Sequence, residues 1–192
     1  MDIARENRLF LYRAVRHLTQ EAGIRQFIDM AGDGTTTVIN ADMRDTAAIL
    51  DDPDTKRLID FSEPVAVLYL SIGHHLFDED DPRGVVHGVL DRAVPGSHLV
   101  FTQITSADPT RRTEMDAAAN GAGMPWRTRS REEVDALLAG PTPVEPGLVD
   151  IREWRPDAGQ PPLAPVPAEL VQFAGASKSK PDLCEFGGVL VK

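Results

Sequence analysis

The 192-residue sequence contains a single cysteine, Cys184. A lone cysteine excludes an internal disulfide and a zinc site built from cysteine pairs. Cys184 stands just before the apolar run at the C-terminal end of the sequence. That position predicts a buried, chemically inert thiol.

Positive charge is also scarce. Lys and Arg number 20 against 30 Asp and Glu, which gives a formal net charge of −10. Binding to nucleic acid needs a basic face for the phosphates, so the composition predicts no nucleic acid partner. Two small basic clusters, Arg127/Arg129/Arg131 and Lys178/Lys180, are predicted to be a solvated helix start and a solvated loop.

Long apolar runs are missing from the sequence. No stretch approaches the roughly 20 residues that a membrane helix requires. Near the N-terminus, Asp2, Arg5, Glu6 and Arg8 interrupt every apolar run, so no signal peptide is predicted. The sequence therefore predicts a cytoplasmic protein with no membrane partner.

Two catalytic motifs are absent as well. The sequence has no G-x-S-x-G nucleophile turn and no G-x-x-x-x-G-K-[ST] phosphate loop. These absences argue against a serine hydrolase of the α/β type and against P-loop nucleotide hydrolysis.

What the sequence does contain is an alternation of strand-like and helix-like segments, which predicts one α/β domain over residues 1–192 with a mostly parallel sheet and flanking helices. The apolar runs Pro64–Ser71 and His98–Thr105 suit strands buried on both faces. Further strands are predicted at Gly147–Glu153 and Glu185–Val191, and a proline-rich and polar loop at 156–184. Helices are predicted over Leu11–Ala22, after Asp45, after Asp52-Pro53, from Asp81-Pro82 to Arg92, from Asp108-Pro109 to Gly121 and from Ser130 to Gly140.

Residues 27–45 are the most informative segment. Phe27–Met30 followed by Gly32 and Gly34 is typical of the first strand and glycine loop of a Rossmann-like domain. A second strand-like run, Thr35–Ile39, then begins at once, which leaves no room for a crossover helix. The two runs are predicted to be joined by a tight turn, and either to pair antiparallel or not to pair.

Several polar residues follow the predicted strands, where ligands of α/β sheets gather. Asp42 at the end of a Thr37–Ala41 strand could accept hydrogen bonds from a ligand, or could solvate a loop, and Asp29 has the same two interpretations. Ser71 and His74 follow the most apolar strand. His74 and His75 precede four acids, but adjacent histidines on an extended segment point apart, so no metal site is predicted.

The sequence resembles an actinobacterial-type family of S-adenosylmethionine-dependent methyltransferases with the class I Rossmann-like fold. The matching segments occur in family order over most of the chain. They are 4–8, 23–29, 37–45, 60–65, 74–82, 144–149, 154–157 and 186–189.

The resemblance implies a cofactor, S-adenosylmethionine, and a set of site residues. It places Asp29, Gly32, Asp42, Met43 and Ser71 at the cofactor, and His74 beside the sulfonium and substrate, where it would act as a general base or shape the pocket. The family's long glycine loop, the helix after it, the second strand and its ribose-binding acid have no counterpart. The family's N-terminal segment that covers the cofactor has none either. An internal deletion is therefore expected within 27–45.

Two functions follow from these expectations, beside a minor third, a metal-dependent hydrolase that uses His74, His75 and the acids after them. The first is methyl transfer from S-adenosylmethionine to a small-molecule acceptor. The second is a non-catalytic protein of the same fold that serves as an interaction module or has no activity. Loss of a strand and a helix would uncover a sheet edge, which predicts a homodimer through that edge.

Overall fold

The computed structural model describes residues 3–30, 37–173 and 182–192. This part of the chain holds six α-helices and six strands, and it confirms the predicted α/β class. The helices are α1 (Ile3–Gln20), α2 (Thr46–Asp51), α3 (Pro53–Leu58), α4 (Pro82–Arg92), α5 (Pro109–Gly121) and α6 (Arg131–Leu137). The strands are β1 (Gln26–Asp29), β2 (Val65–Leu70), β3 (His98–Thr105), β4 (Thr142–Pro143), β5 (Val149–Asp150) and β6 (Cys184–Val191).

The strands form one sheet in the order β1-β2-β3-β6-β4, with the short β5 also beside β6. β1, β2 and β3 are parallel, whereas β6 runs antiparallel to β3 and to its two short neighbours. The carboxyl ends of the three parallel strands therefore meet at one end of the sheet, where ligands of such folds bind. β1 lies at the edge: in the described residues no strand pairs with its outer side.

The helices α2 to α6 start where the sequence predicts, whereas α1 starts at Ile3, eight residues before the predicted apolar stripe at Leu11. An Asp or Ser side chain accepts a hydrogen bond from a backbone N–H of the first turn, and proline often follows because its missing N–H costs nothing there. The capping residues are Asp45 for α2, Asp52 for α3, Asp81 for α4, Asp108 for α5 and Ser130 for α6. Ser130 and Glu133 form the predicted capping box.

The sheet is buried on both faces, as the continuous apolar run of β2 predicts. Val67 and Tyr69 pack on one face against α4 and α6, while Ala66 and Leu68 pack on the other against α1. On the α1 face, Trp154 is fully buried, and Phe10 packs edge-on against it with ring centroids 5.5 Å apart. The proline-rich segment contacts α1: Arg16 pairs with Asp157, Gln160 donates to the carbonyl of Leu9, and Arg5 donates to the carbonyl of Ala164.

Two strand predictions are wrong. Residues 37–41 form no strand. The sequence predicts a strand at Thr37–Ala41 and a strand-like run at Thr35–Ile39, of which residues 37–39 are described. An apolar run forms a strand only beside another strand, and in the described part of the chain β1 pairs with β2 alone. Of the predicted strand Gly147–Glu153, only Val149 and Asp150 pair, because a turn begins at Ile151.

Among the described residues, no helix has the length and apolar character needed to cross a bilayer.

Candidate functional site

A cavity of about 900 Å³ lies along the open side of β1. Its walls are α1, residues 37–43 and the helices α2 and α3. Most of the lining is apolar, and this volume falls within the range of small-molecule sites. Asp29, the last residue of β1, and Met43 both line it, so the structure brings two of the predicted site residues together.

Asp42 lies on the rim of this cavity rather than in its lining, between the lining residues Ala41 and Met43. Its side chain is exposed and accepts hydrogen bonds from Arg44, with Nη2 2.6 Å from Oδ2 and Nε 3.0 Å from Oδ1. This guanidinium lowers the pKa of Asp42 to about 2. Asp42 is therefore ionised and held in place. Gly32 lies outside the described residues.

Ser71 follows β2 with a backbone φ of 56°. Residues other than glycine, asparagine and aspartate rarely adopt that region, and such strain persists where the surroundings enforce it. Here the N–H of Ser71 donates to the carbonyl and the hydroxyl oxygen of Thr102, at 3.1 and 2.8 Å. Ser71 does not line the cavity beside β1.

His74 lies in a 3₁₀ turn, Gly73–His75, and is 2% exposed. Its ring packs on Trp126 with centroids 3.9 Å apart, and its Nδ1 accepts a hydrogen bond from the N–H of Ile104 at 3.4 Å. Burial, followed by the charges of His75 and Arg129, lowers the pKa of His74 to about 3. The ring is neutral at pH 7 and lies apart from the cavity lining, so its catalytic role stays a prediction.

The segment that carries the two histidines is not extended, contrary to expectation. The 3₁₀ turn brings the rings of His74 and His75 to 4.5 Å between centroids. Among the residues that the structure describes, no group of three or more His, Cys, Asp or Glu side chains is arranged to hold a metal ion. Asp81 caps α4 by accepting from the N–H of Gly84 at 3.1 Å, as predicted.

The predicted solvated cluster of arginines is in part a structural element of the interior. Arg129 is only 3% exposed, and it donates to the carbonyls of Gly73 and Leu76 and to the carboxylate of Asp78. These hydrogen bonds stabilise the 3₁₀ turn Gly73–His75 from the interior of the protein. The expectation of a solvated helix start is wrong for this residue, because its guanidinium is buried against backbone carbonyls that accept its hydrogen bonds. Lys178 and Lys180 lie outside the described residues.

Sequence reasoning missed one group of polar side chains at the carboxyl end of the sheet. Glu185 on β6 is 0% exposed, and its Oε1 accepts from Asn7 Nδ2 at 3.3 Å. Asn7 Oδ1 in turn accepts from the hydroxyl of Thr102 at 3.2 Å. A lone acid at the start of an apolar strand was the signal that could have pointed to it. Its neighbour Cys184 is buried, as predicted.

A family model described as S-adenosyl methyltransferase matches residues 1–32 and 30–180. The chain belongs to this family. The match falls into two segments that meet at residues 30–32, at the end of β1. No curated protein matches the sequence.

Two solved structures share the fold of this S-adenosyl methyltransferase family member. A DUF574 family protein from Streptomyces avermitilis has a TM-score of 0.76 at 27% identity, over 98% of this chain and 83% of that one. A proposed methyltransferase from Thermobifida fusca has a TM-score of 0.75 at 28% identity, over 97% of this chain and 80% of that one. These likenesses confirm the predicted methyltransferase-like α/β sheet.

Proposed function

We propose that this protein binds S-adenosylmethionine in the cavity beside β1 and transfers its methyl group to a small molecule. The observation that carries the proposal is the cavity of about 900 Å³ at β1, lined by Asp29 and Met43, in a member of an S-adenosyl methyltransferase family. Cavities of this size with apolar walls and a few polar groups are the usual form of nucleotide and cofactor sites.

The residues present fit the cofactor. Ile39, Met43 and Leu58 supply apolar walls, and Asp29 supplies a carboxylate at the carboxyl end of β1. On the rim, Asp42 is ionised, so it can accept hydrogen bonds from hydroxyl or amino groups. Bound S-adenosylmethionine supplies an electrophilic methyl group on sulfur. The protein has to hold that group and the acceptor in line and to exclude water.

A calorimetric titration with S-adenosylmethionine tests the proposal. We expect wild-type protein to bind it with a micromolar dissociation constant. Asp29→Asn should weaken binding about tenfold, because a hydrogen bond to a charged group contributes roughly 1.5–3 kcal/mol. Asp91→Asn is the matched control, since Asp91 is exposed on α4, away from the cavity.

The results of the titration distinguish a cofactor-binding methyltransferase from a non-catalytic protein of the same fold. Absence of binding by folded wild-type protein would overturn it. Equal affinities of Asp29→Asn and wild type for S-adenosylmethionine would show that the cofactor does not bind beside β1. Circular dichroism of each variant establishes that the fold is retained before the affinities are compared.

A second candidate function is self-association through β1. The N–H of Met30 donates to the carbonyl of Leu68 at 3.0 Å, so alternation along the strand directs the backbone groups of Phe27 and Asp29 to the open side. A second copy, related by a two-fold axis at Phe27, would pair antiparallel in the space that the cavity occupies beside β1, as an alternative to cofactor binding there, and would place Arg25 opposite its partner's Asp29. The edge is thus self-complementary in charge, as a two-fold interface requires.

Sedimentation velocity over a range of concentrations tests this candidate. Arg25→Asp and Asp29→Arg should each weaken dimerisation, and the two changes together should restore it. Arg57→Asp, on the exposed face of α3, is the control. A wild-type protein that sediments as a monomer at every concentration would refute self-association, and so would a dimer that both single variants leave intact.

A further inference from the structure

The cavity beside β1 has four charged side chains in its described lining: Arg8, Arg25, Asp29 and Asp54. The carboxylate of Asp54 accepts hydrogen bonds from Arg57, with Nη2 at 2.6 Å and Nε at 3.1 Å. Asp29 has an interaction partner as well. Within the part of the chain that the structure describes, neither guanidinium of the two lining arginines forms a hydrogen bond or an ion pair. The uncompensated charge in the lining is therefore positive.

Arg8 lies at the end of the cavity where the parallel strands finish. Its neighbour on α1, Asn7, accepts a hydrogen bond from the hydroxyl of Thr102 at 3.2 Å. Thr102 pairs in register with Leu70, the last residue of β2. Arg25, by contrast, comes directly before β1 and so lies at the amino end of that strand. Because ligands of parallel sheets bind at the carboxyl ends of the strands, Arg8 is the unpaired cation at the end where a ligand is expected.

A ligand in the cavity can reach Arg8 directly. The α1 wall of the cavity consists of Arg8, Leu11 and Val15, which are spaced three and four residues apart and therefore lie on one face of the helix. An arginine in such a row adds its aliphatic stem to the apolar wall and offers its guanidinium to a polar group of the ligand. Arg8 is exposed, so this contact requires no rearrangement of the chain.

The anion that suits this position carries a single charge. A guanidinium has parallel N–H groups that match the oxygens of a carboxylate or of a phosphate. Asp29 ends β1 and lines the cavity at the same end, and its negative charge repels a doubly charged phosphate more strongly than a carboxylate. The surroundings of Arg8 therefore favour a carboxylate.

We propose that Arg8 binds a carboxylate group of the molecule that occupies the cavity, through two parallel hydrogen bonds. The identity of that molecule rests on the proposed function: the carboxylate belongs either to the amino acid part of S-adenosylmethionine or to the methyl acceptor. In both cases Arg8 orients the ligand from the α1 wall. The carboxylate site itself stands without methyl transfer.

Calorimetric titrations with two cofactor analogues test the first source. S-adenosylhomocysteine carries the carboxylate, whereas 5′-methylthioadenosine has the same adenosine and thioether without the amino acid part. If the cofactor supplies the carboxylate, Arg8→Met should weaken the binding of S-adenosylhomocysteine at least about tenfold, because a charged hydrogen-bonded pair is lost. The binding of 5′-methylthioadenosine should not change. Arg92→Met is the matched control, since Arg92 is exposed at the end of α4 and does not line the cavity.

Nuclear magnetic resonance titration with hexanoate, with and without saturating S-adenosylhomocysteine, tests the second source. Hexanoate is a carboxylate with an apolar tail, and hexanamide is its uncharged counterpart. We expect a millimolar dissociation constant for hexanoate, about the limit for so small a ligand, and binding at least about tenfold weaker to Arg8→Met. If the acceptor supplies the carboxylate, hexanoate and S-adenosylhomocysteine should bind together. If the cofactor supplies it, S-adenosylhomocysteine should displace hexanoate.

Thermal unfolding establishes that each variant is folded before affinities are compared. Should Arg8→Met fail to fold, the side-chain Nε–H signal of Arg8 in ¹⁵N-labelled wild type tests the same contact. This signal, assigned by its absence from Arg8→Lys, must shift on addition of hexanoate and must stay in place on addition of hexanamide.

Three results would overturn the proposal: no carboxylate binds to wild type, Arg8→Met binds both carboxylates like wild type, or Arg8→Met loses the uncharged counterparts to the same extent. The last result would show that Arg8 only shapes the cavity. Hexanoate binding that depends on Arg8, without any binding of S-adenosylhomocysteine, would refute the proposed function and retain this site. Binding of S-adenosylhomocysteine together with hexanoate binding that is independent of Arg8, and no effect of Arg8→Met on either, would retain the function and lose the site.

Discussion

Replacing Glu185 by glutamine should change how stability depends on pH. The pKa of Glu185 is about 7 in the folded protein against an ordinary value of 4.5. A raised pKa means that the folded state binds the proton more tightly than the unfolded state. The stabilisation is complete below pH 4.5 and is lost as the pH rises through 7. At about 1.4 kcal/mol for each pKa unit, the loss amounts to about 3 kcal/mol.

His74 acts in the opposite direction over an overlapping range. Burial lowers its pKa from 6.5 to about 3, so stability is present above pH 6.5 and is lost as the pH falls towards 3. Between pH 4.5 and 6.5 the two groups contribute slopes of similar size and opposite sign. The two pH dependences of the unfolding free energy therefore cancel in wild type. A variant that removes one of the two groups should show the pH dependence caused by the other.

Urea unfolding, followed by circular dichroism at pH 4.5 and 7.5 in buffers free of amines, measures the pH dependence of the unfolding free energy. Because every other titrating group is shared, the quantity compared is the difference in unfolding free energy between variant and wild type. For Glu185→Gln that difference should move by about 3 kcal/mol in favour of the variant from pH 4.5 to 7.5. Glu153→Gln, which replaces an exposed carboxylate in the turn beside β6, is the control. A constant difference for Glu185→Gln would refute the reasoning.

Two further changes test the packing around the sheet. Gly187→Ala should destabilise the protein by more than about 2 kcal/mol, because its Cβ would lie 1.9 Å from the backbone oxygen of Phe101. Gly121→Ala, in open space at the end of α5, should be neutral or slightly stabilising. Thermal unfolding compares the two variants, and equal melting temperatures would contradict the prediction. Arg129→Met should cost about 2–4 kcal/mol, since the buried carbonyls of Gly73 and Leu76 lose their hydrogen bonds to the guanidinium, and Gly73 alone keeps a second donor, the N–H of Leu76. Arg57→Met, at an exposed ion pair, should cost under about 1 kcal/mol by urea unfolding, and a similar cost for both would show that Arg129 does not support the turn.

Local signals in the sequence predicted much of this fold. The strand His98–Thr105 begins and ends where the sequence places it, because its apolar run is bounded by the turn at Pro95-Gly96. The α4 helix begins at Pro82 because Asp81 caps it. Both signals lie within a few residues of the feature that they specify, so no knowledge of the rest of the chain is needed.

The features that the sequence did not predict depend on distant partners. Residues 37–41 are apolar enough for a strand, but no strand of the described ranges pairs with them. Arg129 is buried because it donates to the carbonyls of Gly73 and Leu76, and these groups come together only in the folded chain. Glu185 meets Asn7 across 178 positions of sequence. Asp29 and Met43 do reach one cavity, whereas Ser71 and His74 lie outside its lining.

The place of β6 in the sheet has a consequence for biosynthesis. It is the last strand in the sequence, yet it lies between β3 and β4 and pairs with β3 along all eight residues from His98 to Thr105. Until a ribosome has delivered residue 191, β3 keeps an open edge and both layers of side chains stay exposed to water. Domains whose pairing waits for distant segments are vulnerable to aggregation during that interval. A nascent chain stalled before Cys184 should therefore need a chaperone that the finished protein does not.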